Sequence, residues 1–240
     1  MFMGSDAPGA AAPPSQTLSR GIRVLEILAD AREPLTVDEV GRRLDVHRSI
    51  AYRLVRTLEH HGLVGRDAGG RLALGPRMAA LAAGVAHDLQ AEALPELTTA
   101  ANELGMTCFV AVLDHDECVT LVSVEPRHAV ASVAQRPGSR HPVSLGAPGK
   151  AILSALDERR WPPGVPDPTR EQVAEAAARG YATSHDEVIP TLRAVAVPLV
   201  LRGRPPAAVS AVYVASDSPP ERIAERLARA AGAVRGALGG

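Results

Sequence analysis

Residues 36–66, TVDEVGRRLDVHRSIAYRLVRTLEHHGLVGR, constrain the fold of this chain more than any other stretch. Apolar residues recur in it at helical spacing twice, on either side of a short polar break. Thr36 can cap a first helix and Glu39 can reach back to the cap, a reciprocal pair that satisfies backbone donors left open at a helix start. Val37, Val40 and Leu44 then share one face. The second helix carries two stripes, Ala51, Leu54, Val55 and Leu58 on one side and Ser49, Tyr52, Arg53 and Arg56 on the other. A short helix, a tight turn and a longer helix with one apolar and one cationic face imply a helix-turn-helix that packs by one stripe and enters a DNA groove with the other. An amphipathic helix pair with solvated arginines is the alternative reading.

The residues just after the second helix favour the groove. Gly62 stands where a left-handed cap would end the helix, and Leu63 to Arg66 and Arg71 to Leu74 flank the turn Asp67-Ala68-Gly69-Gly70, so a hairpin is expected beside it. Arg66 and Arg71 would sit at the two ends of this wing, where a phosphate backbone passes a docked helix. The formal charge of the chain is −1, yet eleven Arg face eight acidic residues between Ser15 and Arg77. Arg20, Arg23, Arg42, Arg43, Arg48, Arg53 and Arg56 lie in or beside helical segments, enough for a local basic face without a basic protein. Lys150 is the only lysine.

The chain of 240 residues is 46% hydrophobic, which suits one or two domains. Cys108 and Cys118 lack the spacing of a zinc site or a disulfide framework, and reduced thiols are expected. The opening residues MFMGSDAPGAAAPPSQ have neither a basic start nor an apolar stretch of signal-peptide length. No segment reaches eighteen uninterrupted apolar residues, so a cytoplasmic protein without a membrane span is expected.

Residues 1–14, dominated by Ala, Pro, Gly and Ser, read as a disordered tail. Leu18, Ile22, Leu25 and Leu28 form a further amphipathic helix, and the first module, three helices and a wing, spans 15–75. A linker helix is expected at 76–87, and as the covalent link between modules it is the expected transmitter of any signal. The segment from Asp88 to Leu104 reads as a helix broken or kinked at Pro95. Strands are expected at Thr107–Leu113, Cys118–Val124, Ala129–Ala134, Ala194–Leu201 and Ala207–Val214, with the polar Asp114-His115-Asp116-Glu117 as a hairpin turn. Helices are expected at Gly149–Leu156, Thr169–Arg179 and Pro220–Leu238. Residues 88–240 thus form a mainly antiparallel sheet with flanking helices, and the fold class is α+β.

These phrases in this order resemble the IclR-type bacterial transcriptional regulators from Ser15 to Gly240. The winged helix-turn-helix is similar in LTVDEVGRRLDVHRSIAYRLVRTLEHHGLV and RLALGPR, and the second module in GSRHPVSLGAPGKAIL, RGYATSHDEV and AVAVPL. The resemblance implies a GAF-like effector domain and a homodimer, or dimer of dimers, on a pseudo-palindromic double-stranded operator. Recognition helices related by two-fold symmetry would enter major grooves about 34 Å apart or a multiple of that. It also implies that Arg48, Ser49, Tyr52 and Arg53 face the groove and that Arg56 meets phosphate. With Thr36, Arg66 and Arg71 these are the candidate DNA-contacting residues. His47 departs from the Pro or Ser usual at the start of this helix, where it is expected to cap poorly.

Gly146-Ala147-Pro148-Gly149 precede the helix expected from Gly149, whose open N–H groups would attract a carboxylate; a plain Pro-Gly turn is the alternative. The resemblance places part of an effector pocket here and adds Asp186, Ala194 and Ser210 as walls. Pro148 removes one amide donor. Ala194 stands where a more polar side chain is usual, which favours a larger or aromatic acid over a two- or three-carbon one. Catalytic patterns are not met. A P-loop would need Gly at Ser144 and Ser or Thr at Ala151, and neither G-x-S-x-G nor H-E-x-x-H occurs. His115-Asp116-Glu117 and His185-Asp186-Glu187 are poor ligand sets, because neighbours in a turn point different ways. No catalytic residue, resident metal or cofactor is expected. A regulator modulated by a small organic acid is the resulting reading; a ligand-binding or protein-interaction module whose first helices merely dimerise is the alternative.

Overall fold

Backbone donors at the start of the second helix are satisfied reciprocally. Thr36 Oγ1 accepts from the Glu39 N–H at 3.2 Å while Glu39 Oε2 accepts from the Thr36 N–H at 2.7 Å. A computed structural model describes residues 15–128 and 133–239, divided into two units, up to Val85 and from Ala86. The first unit contains α1 (Gln16–Asp30), α2 (Val37–Arg43), α3 (Arg48–His60), a hairpin of β1 (Val64–Arg66) and β2 (Leu72–Leu74), and α4 (Arg77–Ala82). Its core joins Val24 and Leu28 of α1, Val40 of α2, Leu54, Val55 and Leu58 of α3, and Val64 and Leu72 of the hairpin. Leu35 pairs with Leu72 in an isolated bridge that ties the hairpin back to the turn before α2. Thr36→Ala removes the Oγ1 that accepts from the Glu39 N–H and donates to Glu39 Oε2, and leaves the Glu39 carboxylate with the backbone N–H of residue 36. We expect it to cost about 1 kcal/mol in chemical denaturation of the full chain.

Several expectations are corrected in this unit. Leu18 and Ile22 are 65% and 48% exposed, so the buried stripe of α1 begins only at Val24. His47 does cap α3: its Nδ1 accepts from the Ser49 N–H at 3.3 Å and meets Ser49 Oγ at 2.9 Å. The imidazole nitrogen takes the place of the hydroxyl or carboxylate oxygen common at this position. The linker helix ends at Ala82 rather than His87, and Ala86 adopts φ +43° just before the next helix. The expected tail at 1–14 lies outside the described residues.

In the second unit, α5 (His87–Leu104) and α8 (Pro220–Ala237) pack on one face of a sheet, and α6 (Gly146–Ser154) and α7 (Asp167–Arg179) on the other. The strands are β3 (Thr107–Asp114), β4 (Glu117–Val124), β5 (Arg140–Pro142), β6 (Ala182–His185), β7 (Arg193–Leu199) and β8 (Ala207–Tyr213), in the order β5-β4-β3-β8-β7-β6. Every pairing is antiparallel. Cys108, Val110, Val195, Val197 and Val209 face α5 and α8, while Phe109, Ala111, Ala194, Ala196, Ala208 and Val212 face α6 and α7, the period-two alternation of a sheet buried on both sides. Both cysteines are free, and burial pushes each thiol up to about 12, which makes them inert packing groups.

Pro95 lies inside α5 and does not end it. Leu89, Ala93, Leu97, Ala100 and Ala101 bury one continuous stripe across it, and that packing outweighs the lost hydrogen bond. Residues 129–132 of the strand expected at Ala129–Ala134 lie outside the described residues, and 133–134 are not in a strand. Two strands were not anticipated, β5 and β6. Both are short, polar and at the sheet's edges, so they lack the alternation that marks a strand in sequence.

Candidate functional site

On α3 the two stripes separate as their spacing requires. Ala51, Leu54, Val55 and Leu58 are buried, and Arg48, Ser49, Tyr52, Arg53 and Arg56 are exposed. Their internal contacts divide the exposed set. Arg48 pairs with Asp38 of α2 at 3.0 Å, and Ser49 is held by the His47 cap. The side chains of Tyr52, Arg53 and Arg56 have no ion pair or hydrogen bond among the described residues. Arg53, Arg56, Thr57 and His60 line a shallow open groove on the same helix.

The wing arginines are placed differently from the expectation. Arg66 Nε meets Glu59 of α3 at 2.6 Å and its Nη1 donates to the Gly70 carbonyl at 2.9 Å. Arg71 Nε donates to the Pro34 carbonyl at 2.7 Å, and its Nη2 lies 3.4 Å from Glu39. Each guanidinium therefore first holds the hairpin against the helices. Thr36 is likewise engaged in its capping box, and hydrogen bonds from Thr36 hold the Glu39 carboxyl below its ordinary value, with Arg71 assisting. These three residues set the geometry of the module, while Tyr52, Arg53 and Arg56 present open donors.

In the second unit a pocket of about 50 Å³ opens at the start of α6, with Phe109, Gly146, Pro148, Leu192, Ala194 and Val212 among its walls. α6 begins three residues earlier than expected, at Gly146, and no side chain of its N-cap, Leu145, closes it. The closing group comes from elsewhere: Glu187 Oε2 accepts from the Gly146 N–H at 2.9 Å, and Glu187 Oε1 lies 2.5 Å from Lys150 Nζ. Lys150 is 2% exposed and Glu187 23%, so an ion pair, half of it fully buried, sits under the pocket.

Four of the expected effector residues do not line this pocket. Ala147 and Gly149 are buried in the body of α6, where Gly149 lies against the carbonyl of Val143. Asp186, at φ +60°, turns outward, and its Oδ1 accepts from the Thr191 N–H at 2.6 Å. Ser210 is fully buried on the same sheet face as Phe109 and Ala196, and its hydroxyl has no partner among the described residues. Gly146, Pro148 and Ala194 do line it, joined by Ser184 and Glu187, which sequence reasoning passed over. The available signal for the ion pair was the chain's single lysine, one turn into a helix of small residues. Among the described residues no group of three His, Cys, Asp or Glu side chains gathers as a metal site, and no helix is long and apolar enough to cross a membrane.

Residues 17–68 match the family model of the IclR helix-turn-helix domain, and residues 82–162 that of the bacterial transcriptional regulator IclR C-terminal domain. The chain is 30% identical over 232 residues to an HTH-type transcriptional regulator of Mycobacterium tuberculosis, covering 91% of this chain and 88% of the relative. It is 26% identical over 232 residues to the transcriptional repressor IclR of Escherichia coli, covering 88% and 84%. Among solved structures it is similar to an IclR homologue from Microbacterium hydrocarbonoxydans complexed with 4-hydroxybenzoate, with a TM-score of 0.78 at 29% identity, over 93% of this chain and 99% of that one. A regulator from Alicyclobacillus acidocaldarius gives a TM-score of 0.80 at 28% identity, over 94% and 100%.

Proposed function

The chain belongs to the IclR family of DNA-binding bacterial transcriptional regulators, and we propose that α3 reads its operator through Tyr52, Arg53 and Arg56 while an organic acid in the second unit sets the affinity. The observation that carries the first half is the division of α3: its apolar stripe is sealed in the core, and these three exposed side chains have no ion pair or hydrogen bond among the described residues. A guanidinium on a guanine edge discriminates bases, whereas one on phosphate strengthens every sequence alike. Arg53 is assigned the first role and Arg56, with His60 beside it, the second. Arg48 and Ser49 reach the groove in competition with Asp38 and His47. Thr36, Arg66 and Arg71 act by positioning the helix and the wing.

The test is fluorescence anisotropy on an operator recovered by unbiased selection of bound genomic DNA. Arg53→Ala is expected to weaken it by about 1 to 3 kcal/mol and to relax sequence preference at one position. Arg56→Ala should weaken all sequences and reduce the salt slope by about one. A protein whose affinity is flat between low and moderate salt would return the first unit to a dimerisation role.

For the effector, support comes from the largely apolar pocket at the start of α6 and from the 4-hydroxybenzoate held by the Microbacterium homologue. At about 50 Å³ the pocket is smaller than the roughly 150 Å³ of an apolar cavity that holds benzene. An aromatic acid therefore needs the segment from Glu187 to Leu192 to move outward, and an acid group reaches the end of α6 only by displacing the Glu187 carboxylate from Gly146. That displacement gives the ligand a different affinity for two conformations, the requirement for a shift in operator affinity. Calorimetry with 4-hydroxybenzoate against pyruvate and glyoxylate checks the class; tight binding of the small acids alone would exclude the aromatic one. The protein is further assigned to the cytoplasm, without catalysis, as a homodimer or dimer of dimers on a pseudo-palindromic site.

A further inference from the structure

A second and larger cavity, about 400 Å³, runs along the outer edge of β6 from Glu175 and Arg179 of α7 to Pro220 at the start of α8. It meets the first pocket at a common wall of Ser184, Glu187, Arg193 and Ala194, while Tyr213 borders the second cavity and not the first. Tyr213, at the end of β8, is 8% exposed and lines this cavity, and its hydroxyl has no hydrogen-bond partner among the described residues. Arg193 stands directly opposite Tyr213 in the β7–β8 register, so the two side chains rise from the same face, the reverse of the one that carries Ala194 into the first pocket.

The charges along the cavity do not cancel at Arg193. Glu187 is answered by Lys150, and His185 lies beside Asp186 at 3.3 Å. Arg179 donates to the Tyr181 carbonyl and to Thr183 Oγ1, and its charge acts on Glu221. Glu175 of α7 contributes one negative charge to the far wall. Arg193 has no ion pair among the described residues, and its charge holds the Tyr213 hydroxyl back from the full rise that burial would cause. A buried phenol with an open donor beside an unanswered guanidinium forms a two-point receptor for one carboxylate, the guanidinium supplying charge and the O–H direction. The volume admits a ring-sized body, which the first pocket as it stands does not.

We propose that the β6-edge cavity is a second small-molecule site, binding a ring-sized monocarboxylate through Arg193 and Tyr213. This site stands apart from the effector reading above and survives its failure. The probe is 4-fluorobenzoate followed by fluorine NMR on the full-length protein, with Arg193→Gln, Tyr213→Phe and the double variant. Tyr213→Phe keeps the ring in the core and Arg193 is exposed, so unchanged melting temperatures are expected to accompany both. The expected result is a bound signal whose affinity falls at least tenfold in each single variant. Arg193 borders both pockets, so a signal that weakens in Arg193→Gln but not in Tyr213→Phe belongs to the first pocket, and the response to Tyr213→Phe is what assigns binding to the second. No bound signal in the wild type, or none that responds to Tyr213→Phe, overturns the second site.

Discussion

Gly149→Ala is expected to destabilise the second unit by about 4 kcal/mol, near the upper end of what a single methyl group does. A Cβ built on Gly149 falls 1.9 Å from the Val143 carbonyl oxygen and 2.8 Å from its carbon. These are backbone atoms, so no rotamer change relieves the contact. Val143 is held in place, since it is 2% exposed and its N–H donates to the Asp116 carbonyl at 2.8 Å. On the other side α6 is buried from Gly146 to Leu153 and has no slack to retreat. At roughly 2 to 4 °C per kcal/mol for a domain of this size, the melting temperature should drop by about 8 to 16 °C. Gly232→Ala is the control, because its Cβ would meet nothing within 4 Å. It should be neutral or stabilising by up to about 1 kcal/mol, as Ala replaces Gly inside a helix. A Gly149→Ala protein that melts with the control would mean that the approach of α6 to Val143 is not tight.

The same glycine shows where sequence reasoning reached its limit. A helix expected to start at Gly149 suggested open N–H groups there and hence a carboxylate ligand, with a plain Pro-Gly turn as the alternative. The structure gives Gly149 to close packing and starts the helix at Gly146 instead. The legible features were local and periodic: the capping box of Thr36 and Glu39, the two stripes of α3, the Gly62 turn at φ +68°, and the alternation of β3, β4, β7 and β8. The illegible ones depended on partners distant in sequence. Leu18 and Ile22 have the spacing of a buried face, but periodicity does not say what covers it. Arg71 reads as a phosphate contact until Pro34, 37 residues away, is found beside it. In His185-Asp186-Glu187 the positive φ of Asp186 decides which carboxylate turns inward, and the sequence reading chose the wrong one of the two.

Glu187 and Lys150 carry the second large prediction. Lys150→Met is expected to cost about 3 kcal/mol, because it leaves the Glu187 carboxylate with the Gly146 N–H and partial solvent as its remaining support. The loss stays at the low end of the range for broken buried pairs, since Glu187 is 23% exposed and water reaches it. Glu187→Gln should cost as much or more: the amide oxygen still accepts from Gly146, but the Lys150 charge, 2% exposed, keeps among the described residues only the Thr183 carbonyl at 3.5 Å. The decisive comparison is the double variant Lys150→Met/Glu187→Gln. Removing both charges removes both desolvation penalties, so it should recover much of the stability lost in Lys150→Met. Chemical denaturation of the four proteins closes the cycle. If the double variant is as unstable as the sum of the single ones, the pair contributes through packing rather than charge. If it is as stable as the wild type while an acid that binds the wild type no longer binds, the ion pair is retained for ligand exchange at the end of α6 at no gain in stability.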